Sequence, residues 1–122
     1  MLKIDNEVFK IPVLELSRKA EFLDKYASRT EDGILHRELI GVYFNYQLKL
    51  GSTTDSGEYG RLWEKLTEPK EFHTVTVPDC EGAYTFTAYF SGVQDKLLRE
   101  YANKSYWTDL SVNFIAQAPA RR

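Results

Sequence analysis

The sequence predicts an α+β fold that is mainly β: an antiparallel two-layer β-sandwich or partly open barrel of seven or eight strands, with one short α-helix over about 56–67. Three observations predict it. Apolar residues alternate with polar ones over long stretches, the period of a half-buried strand. Turn-forming residues punctuate those stretches. One segment alone carries helical spacing: Tyr59, Leu62, Trp63 and Leu66 fall at i, i+3, i+4, i+7,.

The elements follow in order. Leu2–Ile4 and Val8–Val13 flank Asp5-Asn6, a turn-prone pair, and read as a hairpin,. Pro12 cannot donate to a ladder, so that strand is expected at an edge or with a bulge. Leu14, Leu16, Ala20 and Phe22 alternate with charged residues and predict a strand, with a helix over Leu14–Tyr26 as the competing reading. Glu31-Asp32-Gly33 is a turn. Beyond it Ile34, Ile40, Val42, Phe44, Tyr46, Leu48 and Leu50 share one parity, while Arg37, Tyr43, Asn45, Gln47 and Lys49 share the other. A one-residue slip would expose every apolar group, so the register is well specified. Gly41 in mid-strand predicts a bulge or the close approach of another backbone.

Gly51–Gly57 is a polar loop. Asp55 is placed to N-cap the helix, with Glu58 three residues on, and Pro69 closes the helical region,. Phe72–Val77 alternates, and Pro78–Gly82 is a turn. Over Ala83–Phe90, Tyr84, Phe86, Ala88 and Phe90 share a face. Leu97-Leu98 breaks the alternation and leaves Val93–Tyr101 ambiguous. Asn103-Lys104 is expected to turn the chain into a last strand. There Tyr106, Thr108, Leu110, Val112, Phe114 and Ala116 face inward and Trp107, Asp109, Ser111 and Asn113 outward. The whole of 1–122 is expected to form one domain, with 118–122 a flexible tail.

Composition narrows the function. At 122 residues and 43% hydrophobic, the chain is long enough for one core and too apolar for disorder,. Net charge is −2, from 16 basic and 18 acidic residues, which gives no long-range pull on nucleic acid or an anionic membrane,. No apolar run approaches the ~20 residues of a membrane span. Met1–Lys10 lacks the apolar block of a secretory signal. Cys80 is the single cysteine, so no internal disulfide is expected, and a reducing compartment is the simplest setting,.

Catalytic, cofactor and metal residues are not expected. A zinc site needs three or four ligands, and the chain offers His36, His73 and one thiol,. Cys80 lies in Pro78-Asp79-Cys80-Glu81-Gly82, where two carboxylates disfavour a thiolate. An enzyme reading would need at least two of His36, Glu38, His73, Asp79 and Cys80 to meet in one cleft. Lys96, Arg99, Tyr101, Lys104, Tyr106 and Trp107 interleave cations with rings, a pattern that can stack bases, but Asp95, Glu100 and Asp109 dilute it. Tyr43, Tyr89 and Trp107 lie on polar-parity faces. They are either exposed subunit-interface anchors or cover for a second layer of the same sandwich.

Four stretches carry a resemblance that spans about Ser28–Pro119. They are Ser28-Arg29-Thr30-Glu31-Asp32-Gly33; Leu39-Ile40-Gly41-Val42-Tyr43-Phe44-Asn45-Tyr46; the run Glu58–Pro69; and the run from Trp107 through Ala116 to Pro119. Together they resemble small proteins from the tail modules of phages and Firmicute prophages, of the tail-tube, distal-tail and tail-terminator kind. The resemblance implies a β-sandwich with one packed helix. It also implies a non-enzymatic role in tail building, by ring formation or by docking to other tail proteins. Its partners would be copies of itself and other tail proteins, in the host bacterial cytoplasm during assembly and then in the virion tail. The second, carbohydrate-binding-like domain of many distal-tail proteins has no counterpart in the sequence. The alternative reading from the residues is a small β-barrel module that binds a ligand or peptide.

Overall fold

In a computed structural model, residues 2–52 and 55–122 are described. Seven antiparallel strands form one open sheet with a single helix: β1 (Leu2–Ile4), β2 (Glu7–Phe9), β3 (Val13–Arg29), β4 (Leu35–Leu50), α1 (Ser56–Leu66), β5 (His73–Asp79), β6 (Gly82–Tyr101) and β7 (Lys104–Ala116). The strand order is β2-β1-β5-β6-β7-β4-β3.

That order fixes the shape. β2 and β3 stand at opposite edges, yet only Lys10, Ile11 and Pro12 join them. Four Cα steps reach at most about 14 Å. The edges of a flat seven-stranded sheet would stand about 29 Å apart. The sheet must therefore curl until its margins nearly meet. Contacts between strands that are not neighbours agree: Tyr46 on β4 lies 5.2 Å from Phe86 on β6, ring centroid to centroid, and Arg18 on β3 reaches Asp79 on β5 at 2.8 Å. The inner face gathers Leu2, Ile4, Phe9, Leu48, Leu50, Val75, Val77, Leu110, Val112 and Phe114, with Tyr59, Leu62 and Leu66 from α1.

Local chemistry accounts for each element. Asp5 and Asn6 both take positive φ (50° and 69°), as a two-residue type I′ hairpin requires,. Asp55 caps α1 by accepting from Glu58 N–H at 3.0 Å,. The Glu58 carboxylate accepts from Lys10 N–H (3.2 Å) and Arg61 (2.7 Å). Gly41 allows a close approach: a Cβ there would stand 2.6 Å from Pro119 Cβ and 2.9 Å from Arg121 O. The tail, expected to be flexible, lies along this site, with Val42 N–H donating to Arg121 O and Ala120 N–H to Val42 O, each at 2.8 Å.

Several boundaries differ from expectation. The first hairpin's second strand stops at Phe9, and Pro12 falls in the connector, where its carbonyl accepts from Gly51 N–H. The ambiguous stretch Val93–Tyr101 continues β6. The last turn is Ala102-Asn103 rather than Asn103-Lys104, because Tyr101 and Lys104 pair and both turn residues take positive φ. Thr53 and Thr54 of the expected polar loop lie outside the described residues.

Candidate functional site

Two hairpins outrun the body. β4 pairs with β7 only from Tyr46↔Phe114 to Leu50↔Leu110. Beyond Tyr46, β4 continues with β3 as one arm, to the turn at 30–34. Beyond Leu110 in the opposite direction, β7 continues with β6 as a second arm, to Ala102-Asn103. The arms thus leave the β4/β7 ladder at opposite ends.

The β3–β4 arm is touched by the tail at Gly41 and Val42, and toward its tip it is ordered by its own bonds and carries exposed apolar side chains. At its tip Gly33 N–H donates to Thr30 O (2.9 Å), Arg29 donates to Gly33 O (2.8 Å), and Thr30 Oγ1 and Ile34 N–H both donate to Asp32. Those two bonds hold the Asp32 carboxyl below its ordinary range,. Along the arm Phe22, Leu23, Tyr26, Ile34, Leu35, Leu39 and Ile40 are all exposed, Phe22 at 60%. Ile34 and Ile40, on the inward parity by sequence, meet no core: β4 runs beyond its pairing with β7, and a bulge opposite Leu23 and Asp24 leaves Ile40 out of the β3 ladder.

The sheet margins are unequal. β2 is covered by α1 side chains: Glu58 accepts from Lys10 N–H, and Arg61 donates to Val8 O at 2.8 Å while stacking over Phe9 at 4.5 Å. β3 pairs with β4 alone over 17 residues. Among the described residues its outward backbone groups have no backbone partner.

A cleft of about 360 Å³ lies between α1 and the β6–β7 arm, lined chiefly by Tyr59, Trp63, Asp95, Tyr106 and Trp107. Tyr59 is buried and donates its hydroxyl to Asp95 Oδ2 at 2.9 Å. Burial first, and then this bond and the Asp95 charge, push the Tyr59 hydroxyl well above its ordinary pKa,.

His73 is 3% exposed, stacked on Phe90 at 4.6 Å, with Nδ1 2.6 Å from Asp5 Oδ2. Burial pushes the Asp5 carboxyl up, but bonds from His73 and Thr74 N–H, with the charges of His73 and Lys70, outweigh it and hold Asp5 at about 2,. A carboxylate only accepts, so Nδ1 carries the proton. His73 Nε2 is buried without a partner.

The anchors singled out by parity do not converge in one cleft. Tyr43 lines a depression with Phe22, Leu23 and Ile115, Tyr89 one beside His73, and Trp107 the aromatic cleft. Tyr43 is half-buried, while Tyr89 and Trp107 are exposed. Trp107 stands beside α1 because β7 gains a residue at Asp109: Thr108 to Ser111 spans three steps against two from Lys96 to Gln94, with Asp109 at φ 55°,.

His36 and Glu38 stand on the arm, and His73 stands in the core. Asp79 and Cys80 share a depression with Arg18, which donates to Cys80 Sγ at 3.2 Å. The imidazoles and the thiol occupy different parts of the molecule. Among the described residues, no three or more His, Cys, Asp or Glu side chains are grouped to hold a metal ion. No helix among them is long and apolar enough to cross a membrane.

Comparison with family models, with curated proteins and with solved structures returns no match to the chain.

Sequence reading missed the cleft as a unit. Tyr59 and Trp63 registered as a helix stripe, Tyr106 and Trp107 as part of a basic-aromatic stretch. The available signal was that both tryptophans of the chain sit next to another aromatic or one helical turn from it.

Proposed function

We propose that the chain is a non-enzymatic structural subunit of a phage or prophage tail, which works by associating with copies of itself, in a ring, or by docking to other tail proteins. The observation that carries this reading is the β3 margin with its arm. Among the described residues, a 17-residue edge strand has no backbone partner on its outer side, and seven large apolar side chains of its arm are exposed. Each such side chain gains roughly 1 kcal/mol when a half-exposed surface is covered. Neighbours such as Phe22 and Leu23 point to opposite faces of the arm, so a contact on one face covers about half of the seven and gains about 3–4 kcal/mol before the cost of association,. A strand added to the free edge would contribute backbone bonds as well. On this reading the protein acts in the bacterial host cytoplasm during assembly and then in the virion tail.

The test is light scattering after size exclusion over a wide concentration range, with the intact chain and with the arm shortened by joining Lys19 to Asn45 through a two-residue turn. Concentration-dependent oligomers that vanish on shortening support the proposal. A monomer at every concentration that also binds no neighbouring tail protein refutes it.

The aromatic cleft favours a second reading, a small module that binds a ligand or peptide. Its volume lies at the low end of the range for small-molecule sites,.

A further inference from the structure

The cleft between α1 and the β6–β7 arm has a composition that selects one class of ligand. Four of its eight lining residues carry rings, Ser56 and Ser105 add hydroxyls, and its one carboxyl belongs to Asp95. Tyr59 fixes that carboxylate through Oδ2, and Asp95 Oδ1 has no partner among the described residues. Asp109, whose charge also acts on Tyr59, does not line the cleft and is exposed and paired with Lys96 at 3.2 Å, which leaves Asp95 as the carboxylate of the site. An anion entering here would meet carboxylate charge. A purely apolar molecule would strip water from a carboxylate and offer nothing in return. A cation with apolar substituents satisfies both the carboxylate and the ring quadrupoles. The site already shows this chemistry from its outer side: Arg99, which does not line the cleft, sits over the Tyr106 ring at 4.8 Å.

We propose that this cleft binds an alkylated ammonium or a guanidinium group, held by Asp95 and the rings of Tyr59, Trp63, Tyr106 and Trp107. The inference rests on the binding-module reading and names its ligand class. It is independent of the assembly reading, because it uses neither the β3 edge nor the β3–β4 arm. The group has two sources, a free small cation or an arginine side chain presented by another chain.

Trp63 and Trp107 are the only tryptophans of the chain, so its indole emission reports on this cleft alone. The full chain is titrated with tetramethylammonium and with methylguanidinium, against tert-butanol as a neutral isostere, at matched ionic strength. Saturable change with the cations, at least tenfold tighter than with tert-butanol, is the expected result. Asp95→Asn keeps an acceptor for Tyr59 and is expected to weaken the cations at least tenfold while leaving far-UV circular dichroism unchanged. Trp107→Leu is expected to weaken them several-fold and guards against an effect of the Asn variant on folding. Equal response to tert-butanol, or cation affinity indifferent to Asp95→Asn, overturns the cation assignment and leaves an apolar or sugar-stacking cleft. No saturable change with any of the three overturns the binding reading itself. The sources separate by dilution: emission that shifts with protein concentration, and is reversed by methylguanidinium, places an arginine of a second copy in the cleft. Emission independent of concentration, with saturable binding, assigns the site to a free cation.

Discussion

Phe22 and Ile40 offer a direct measure of whether the β3–β4 arm is built to be covered. Phe22 is 60% exposed and Ile40 45%. Full burial of such a side chain is worth about 1.5–3 kcal/mol, so covering the exposed fraction gains about 1–2 kcal/mol at Phe22 and about 1 at Ile40. Phe22→Ser with Ile40→Ser should therefore weaken association by about 2–3 kcal/mol, or about 30- to 150-fold in the dissociation constant. The folded subunit loses the fractions already covered within it, about 1–3 kcal/mol for the two side chains together by the same measure,. Phe22 also gives up its ring contact with Arg37, 5.4 Å from ring centroid to guanidinium carbon, worth about 0.5–1 kcal/mol at an exposed site,. Arg37 keeps its ion pair with Asp24. Sedimentation velocity over a concentration series reads the first quantity, and thermal unfolding at a concentration where both proteins are monomeric reads the second. An unchanged size distribution in a folded double variant would refute the reasoning.

Three further outcomes follow from local geometry. Asp5→Asn should cost about 2 kcal/mol at neutral pH, from a shift of 3.8 to about 2 at 1.36 kcal/mol per pKa unit,. Because the folded pKa is the lower one, the contribution is complete above the unfolded value near 4 and fades as pH falls through about 2. Urea titrations of the two proteins should therefore converge toward pH 2 and differ at pH 7. Gly41→Ala should push Pro119 and Arg121 off β4 at a cost of about 1–3 kcal/mol, seen as faster hydrogen exchange at the Val42 amide,. Ala102→Gly should raise the melting temperature by a few degrees, since Ala102 holds φ 52° in a turn that favours glycine,.

Legibility in the sequence was greatest where a pattern is decided by near neighbours. Asp5-Asn6 specifies its hairpin through two positive-φ residues that asparagine and aspartate tolerate, and Asp55 specifies α1 through one side-chain bond,. Alternation identified the inner face of β4 at Tyr46, Leu48 and Leu50, all buried. It could not reveal that Ile34 and Ile40, on the same parity, project beyond the body. Parity names a face, but only the lengths of the other strands decide whether anything lies against it. The cleft escaped for a different reason. Asp109 adopts positive φ with no glycine to mark it, and the extra residue re-aims the start of β7 toward α1. The Asp5–His73 pair, 68 residues apart, has no local signature at all.

The inequality of the two sheet margins constrains how any association would run. α1 sets Glu58 and Arg61 against the backbone of β2, so a neighbour adding a strand there would have to displace bonds already made. At β3, among the described residues, there is no backbone bond on the outward side to displace,. Two free margins would allow edge-to-edge growth of the sheet without limit. One free margin allows either a two-fold pair, β3 against β3, or a contact of β3 and its arm with a different surface of the next subunit. The arms leave the β4/β7 ladder at opposite ends, so the second arrangement places unlike ends of successive subunits together, as a head-to-tail contact requires,. The two arrangements differ in stoichiometry. A chain that stops at dimers uses β3 twice, and the arm apolar residues meet their own copies. A chain that closes at a higher number brings the β3–β4 arm against a surface other than itself. Cross-linking between single cysteines at Leu23 and at Trp107 in a Cys80→Ser background separates them: Leu23–Leu23 products mark the pair, and Leu23–Trp107 products mark the head-to-tail contact.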